Sequence, residues 1–166
     1  MLNLILWIVQ IFLALFFLGG SVPKLLDRGL ERWTGFSTLP RSEVVFIGAA
    51  EALGAAGLVL PMAAGMLPWL TPLSAIGLAI TVLMAAGFHI RADERLEALE
   101  TGLWASIAAV VAIGRWGLVS SRADISPSIL VACLGVLVPA AIINVIILLR
   151  RPPRGRQPIA AVQGRA

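Results

Sequence analysis

The sequence predicts an all-α membrane protein: a four-helix transmembrane bundle followed by a fifth, C-terminal transmembrane helix. Three observations carry this expectation. Only 13% of the 166 residues are charged and 59% are hydrophobic, against about 25% charged in an ordinary soluble domain. Five segments approach the roughly 20 apolar residues a helix needs to cross a hydrocarbon core about 30 Å thick. The basic residues fall between those segments with a strong bias to one side.

The first segment, Leu4 to Gly20, has Gln10 as its single polar side chain. The second, Val44 to Met62, is interrupted by one acid, Glu51. The third, Leu67 to Ile90, is uncharged apart from the titratable His89. The fourth, Leu96 to Val119, is the weakest, its uncharged stretch being only Thr101 to Gly114. The fifth, Ser128 to Leu149, has no charge at all. These spans divide the chain into a four-helix bundle (1–120), an additional helix (121–150) and a basic tail (151–166). The tail, with Pro152-Pro153-Arg154-Gly155-Arg156-Gln157-Pro158, has the composition of a disordered segment.

Loop charge gives the orientation, because Lys and Arg stay preferentially on the cytoplasmic side. Lys24, Arg28, Arg32 and Arg41 lie in the first connection, Arg91 and Arg95 in the third, and Arg150, Arg151, Arg154, Arg156 and Arg165 after the last span. Five spans put these eleven on one side and leave only Arg115 and Arg122 on the other. Losing the fourth span would change the split to eight against five. The expectation is therefore a multi-pass protein of the cytoplasmic (inner) membrane, N-terminus outside and C-terminus in the cytoplasm. Trp7, Trp69 and Trp116 then fall near the outer boundary, where tryptophan is favoured. The first segment is expected to be retained, since Met1-Leu2-Asn3 has no basic side chain and no Ala-x-Ala site follows.

The net charge of +4 and the pI near 11.0 do not indicate nucleic acid: five of the 13 basic residues follow residue 149, at a membrane boundary. In the first connection Leu30, Trp33, Phe36 and Leu39 recur at three-residue steps among charges. Two readings stand there: a short element lying on the membrane surface, or an irregular loop limited by Gly35 and Pro40. One cysteine, Cys133, excludes an internal disulfide, a dithiol redox pair and a thiolate cluster.

Glu51 is the most informative residue. It lies about eight residues into the second span, roughly 10–12 Å from the cytoplasmic end at 1.5 Å per residue. A carboxylate at that depth faces the bundle interior and pairs, or stays protonated. Gly48, Ala52, Gly54, Ala55 and Gly57 around it are small and let other helices approach closely. Orientation and depth bring Lys24, Glu51, His89 and Glu100 to the inner half of the bundle. They form a candidate set for binding a ligand or carrying a proton.

Each has a simpler explanation as well. Glu51 can serve packing through a buried ion pair, and Lys24 can snorkel to the headgroups. His89 can be an interfacial histidine, while Glu97 and Glu100 suit a helix N-terminus on dipole grounds, with Asp93 as a cap. No phosphate loop or ordered Ser–His–Asp set is present, and one histidine is too few for a bis-histidine haem or a typical zinc site, so no metal is expected. Pro139 is expected to kink the fifth span, and Asn144 to bond across helices or sit at the interface.

At these residues the chain resembles the DoxX-like family of small bacterial membrane proteins. The resemblance lies in Phe16-Phe17-Leu18-Gly19-Gly20-Ser21-Val22-Pro23-Lys24-Leu25. It continues in the Gly-x-x-Glu of Gly48 to Glu51, the Gly-Ala-x-Gly-Leu-x-Leu-Pro of Gly54 to Pro61, and Ala85-Ala86-Gly87-Phe88-His89-Ile90-Arg91. It covers residues 4 to 115 and reaches Lys24, Glu51 and His89. The family unit resembles a four-helix bundle, so the fifth span and basic tail depart from it. Relatives look like membrane subunits of quinone-linked sulfur oxidation or of thiol-oxidative-stress complexes; others in the wider superfamily look like assembly chaperones or cargo receptors. Kinship of fold alone does not transfer function.

Three functions follow as expectations. The first is an accessory or redox-associated subunit binding a polar-headed lipophilic ligand. A quinone is the cofactor it admits, with electrons exchanged through a partner membrane or cytoplasmic redox protein. The second is a non-catalytic scaffold or assembly factor. The third is a proton-coupled transporter, which five helices would require to be a dimer. No reaction is specified, and the lipid bilayer is the one certain partner. A homo-oligomer is compatible with all three.

Overall fold

The computed structural model describes residues 1–28, 30, 39–91, 94–120 and 135. Four long helices dominate: α1 (Leu2–Leu26), α2 (Arg41–Ala63), α3 (Leu70–Arg91) and α4 (Arg95–Gly114), followed by a single turn, α5 (Gly117–Ser120). Each of the four is long and apolar enough to cross a membrane, and no strand occurs among the described residues. The expected fifth span from Ser128 to Leu149, with Pro139 and Asn144, lies outside the described residues apart from Gly135. So do the tail and most of the Leu30–Leu39 segment.

Packing follows chain order, α1 on α2, α2 on α3 and α3 on α4, with α4 closing more thinly onto α1. Each helix buries one stripe. Leu6, Gln10, Leu13, Phe17, Ser21 and Lys24 form that of α1; Val44, Gly48, Glu51, Ala55 and Leu58 form that of α2. The spacing of three and four residues keeps each stripe on one side of its helix. The core mixes a few large side chains, Leu13, Leu58 and Leu78, with Ala55, Ala75, Ala105 and Ala108. Small residues let apolar helices approach closely where no hydrophobic effect between them drives association. Outward, Leu4, Ile8, Phe12 and Leu15 of α1 are exposed. In water this would be an aggregation surface; in a bilayer it is the lipid-facing side.

Several helix ends differ from the sequence expectation, and three of the shifts have a local reason. α1 continues past Gly20 to Leu26, through Pro23. It closes at Asp27, which adopts the left-handed conformation (φ 56) and donates its N–H to Pro23 O, a conformation that Asp tolerates better than most residues. The third helix starts at Leu70 rather than Leu67: Leu67 itself has φ 51, which no helix accommodates, and Gly65 turns the chain before it with φ 66. The fourth stops at Gly114 rather than Val119, because Arg115 leaves helical geometry (φ −103, ψ 1) to bond across the bundle.

Candidate functional site

Arg41, the first residue of α2, donates from Nη1 to Lys24 O at 2.5 Å and from Nη2 to Leu25 O at 2.8 Å. It also lies 3.4 Å from Asp27 Oδ1. A helix end leaves its last carbonyls without intrahelical donors. Here a cation from the next helix supplies them, fixing the C-terminus of α1 beside the N-terminus of α2. With the two buried stripes facing, Lys24 Nζ donates to Glu51 Oε2 at 2.5 Å. The side chains are 9% and 11% exposed.

The pair is shielded unevenly. On one side Gly48 permits direct contact of backbones: a Cβ there would stand 2.8 Å from Lys24 Cβ and 3.2 Å from Ser21 O. On another side Gly20 leaves a gap: a Cβ there would stand 3.7 Å from Lys24 Nζ and 3.9 Å from Glu51 Oε2, in ordinary contact. Glu51 Oε1 has no hydrogen-bond partner among the described residues. Pro23 also has no N–H to offer the carbonyl of Gly19. The pair thus combines a cation, a carboxylate with one open oxygen, and a glycine-lined approach. Gly54 and Gly57 serve packing further along α2, where an added Cβ would meet Leu78 and Ser74 of α3.

Of the four residues the sequence places at this depth, Lys24 and Glu51 meet. His89 and Glu100 are held elsewhere. His89 Nδ1 lies 2.7 Å from Glu94 Oε2, across the turn between α3 and α4. Glu94 occupies the N-cap position of α4 without a side-chain cap bond, its carboxylate being engaged with His89; Asp93, the expected cap, lies outside the described residues. Glu100 is exposed and accepts a bond from Trp104 Nε1 at 3.3 Å, one turn along its own helix. The Trp104 ring stacks on Phe16 of α1, with centroids 4.1 Å apart. The unit the geometry supports is therefore a buried pair with a His89–Glu94 pair at the same end of the bundle, rather than one cluster of four.

A second polar network, not foreseen from the sequence, occupies the opposite end. Arg115 Nε donates to Gln10 Oε1 at 2.7 Å and Nη1 to Asn3 Oδ1 at 2.6 Å. Gln10 Nε2 passes the chain on to Leu58 O at 2.7 Å. One side chain thus links α1, α2 and the end of α4. The signal for Gln10 was present, since it lies on the same three-four spacing as Lys24. Arg115 gave none, because a basic residue after a span reads as loop charge. Desolvation lowers the pKa of Arg115 from its ordinary value, yet a guanidinium stays charged at any physiological pH.

An apolar groove of about 610 Å³ lies apart from both networks, between α3 and α4, lined by Ile76, Ile80, Leu83, Ile113 and Trp116 among others. It carries no titratable group. Among the described residues no three His, Cys, Asp or Glu side chains come together as a metal set.

The model of the DoxX-like family matches residues 8–114, and the chain belongs to that family. No curated protein and no solved structure matches it.

Proposed function

We propose that this DoxX-like membrane protein is an accessory, redox-associated subunit that holds the polar head of a lipophilic ligand, of quinone type, against Lys24 and Glu51. The single observation that carries the reading is the buried pair beside the Gly20 gap. A quinone head presents carbonyl oxygens and a quinol presents hydroxyls; a cationic donor and a carboxylate acceptor within 2.5 Å of each other match both. Glu51 is the acceptor and proton carrier, through its open Oε1. Lys24 is the donor. His89 and Glu94, half-buried at the turn of α3 and α4, offer a point of proton exchange with water, and Glu100 adds negative charge at the same end. The tail of such a ligand would lie along Phe12 and Phe16, which are exposed on the side of α1 that Gly20 shares. With Cys133 as the single cysteine, no dithiol can relay electrons, so a partner membrane or cytoplasmic redox protein supplies or receives them.

In this reading the protein lies in the bacterial cytoplasmic membrane with five spans, the N-terminus outside and the C-terminus in the cytoplasm. The loop charges support that orientation, and the uncharged run from Ser128 to Leu149 supports the fifth span.

The test is labelling of the purified protein by a photoreactive short-chain ubiquinone analogue, competed by the unmodified quinone. Glu51→Gln is expected to reduce competed labelling about tenfold or more, the weight of a hydrogen bond to a charged group. Gly20→Leu is expected to block the approach, since its Cβ already stands in ordinary contact, 3.7 Å from Lys24 Nζ. Labelling unchanged in both variants would overturn the assignment. A scaffold is the second reading, favoured by the pair's bonding to itself as a packing device would.

A further inference from the structure

We propose that the end of the bundle opposite the Lys24–Glu51 pair is an oxyanion-binding site, in which Arg115 receives a phosphate group. Gln10 and Lys24 are fourteen residues apart on α1, about 21 Å of helix, so this site stands independently of the proposed ligand site.

The argument begins with charge. Arg115 is 8% exposed, and a buried cation is costly unless a counter-charge and a full set of acceptors compensate it. Its partners are neutral: the Gln10 and Asn3 side-chain oxygens, Asn3 O at 3.4 Å, and the face of Trp7 with its centroid 5.7 Å away. A guanidinium carries five N–H groups, and three are used; two have no acceptor among the described residues. The described carboxylates are all in the other half of the bundle. Asp27 closes α1, Glu43 opens α2, Glu51 lies ten residues into α2, and Glu94, Glu97 and Glu100 cluster at the start of α4. Asp124 lies outside the described residues.

A second orphan lies at the same end. Thr71, in the first turn of α3, is fully buried, and its Oγ1 has no hydrogen-bond partner. Arg also has no loop-charge reason to be here, because basic residues are disfavoured on the side this end faces. A guanidinium with two N–H groups unused and no described carboxylate in reach keeps both the charge and the donors that a phosphate oxygen satisfies. Such a phosphate has two sources at a membrane boundary: the headgroup of an anionic lipid, or a free oxyanion in the aqueous phase.

The full-length protein, purified and stripped of lipid, is titrated with inorganic phosphate against sodium chloride of equal ionic strength. It is separately reconstituted in phosphatidylcholine nanodiscs with and without phosphatidylglycerol. Thermal unfolding followed by tryptophan fluorescence is the readout, since a ligand of the folded state raises the midpoint saturably. A phosphate-specific rise assigns a free oxyanion, and a rise confined to phosphatidylglycerol assigns a lipid headgroup; either supports the site. No rise in the wild-type protein under both conditions, or one that chloride reproduces, overturns it, as when Asp124 already supplies the counter-charge. Arg115→Met keeps the aliphatic stem and removes the guanidinium; a response persisting in that variant also overturns the assignment. Should Arg115→Met not fold, the wild-type titrations decide alone.

Discussion

At Lys24 and Glu51 the energetic question is what each side chain does when the other is gone. Removing one partner of a buried pair leaves an uncompensated charge and costs about 3–5 kcal/mol, whereas replacing both with apolar groups of similar volume is often neutral. Lys24→Met and Glu51→Met are each expected to lower the melting midpoint in detergent, and the double variant to regain most of the loss. Quinone-analogue labelling is expected to be lost in all three. A double variant that is stable yet still labelled would show that the pair is packing alone. Glu51 was legible as the one acid in an apolar run, and Lys24 as the cation closing the preceding span. The partners of His89 and Glu100 were not, because depth in a membrane says nothing about the rotational phase of a helix. Phase is decided by packing, and it turned His89 toward Glu94 and left Glu100 exposed.

Between elements, glycine positions separate close packing from access. Gly48 stands where α2 presses on α1, and an added methyl would lie 2.8 Å from Lys24 Cβ and 3.3 Å from a Leu25 side-chain carbon. Gly48→Ala must therefore push the helices apart. Gly20→Ala adds the same methyl at ordinary contact, 3.7 Å from Lys24 Nζ, and gains helix propensity of about 1 kcal/mol. Thermal unfolding is expected to place Gly48→Ala below the wild-type protein and Gly20→Ala at or above it. Equal effects of the two would mean that the α1–α2 contact is not the tight one. The four helices themselves were legible because each must supply about 20 apolar residues whatever it packs against. Their ends were less so. Leu67 counted toward an apolar run, but its left-handed backbone keeps it out of the helix. Arg115 ends α4 because its guanidinium reaches for Gln10 and Asn3, a contact between residues 105 positions apart, and a local pattern does not encode such a partner.

On the scale of the whole molecule, the two polar networks sit at opposite ends of a bundle whose outer surface is apolar. In the proposed reading that asymmetry makes orientation part of function: one end would face the compartment that holds the redox partner, the other a different aqueous phase. In the orientation proposed from the loop charges, Lys24, Arg28 and Arg41 lie on the cytoplasmic side and the turn at Ala64 outside. The five spans proposed above would bring the C-terminal arginines back to the cytoplasm, where they can meet anionic lipid or an acidic partner. Single cysteines introduced by Ala64→Cys and Gln163→Cys in a Cys133→Ser background test both statements with a membrane-impermeant maleimide. Ala64→Cys, exposed at the end of α2, is expected to react in intact spheroplasts, and Gln163→Cys only after the membrane is permeabilised. Reaction of both in intact spheroplasts would put the C-terminus outside and remove the fifth span; protection of Ala64→Cys would invert the bundle, placing the Lys24–Glu51 pair at the outer face and Arg115 at the cytoplasmic one.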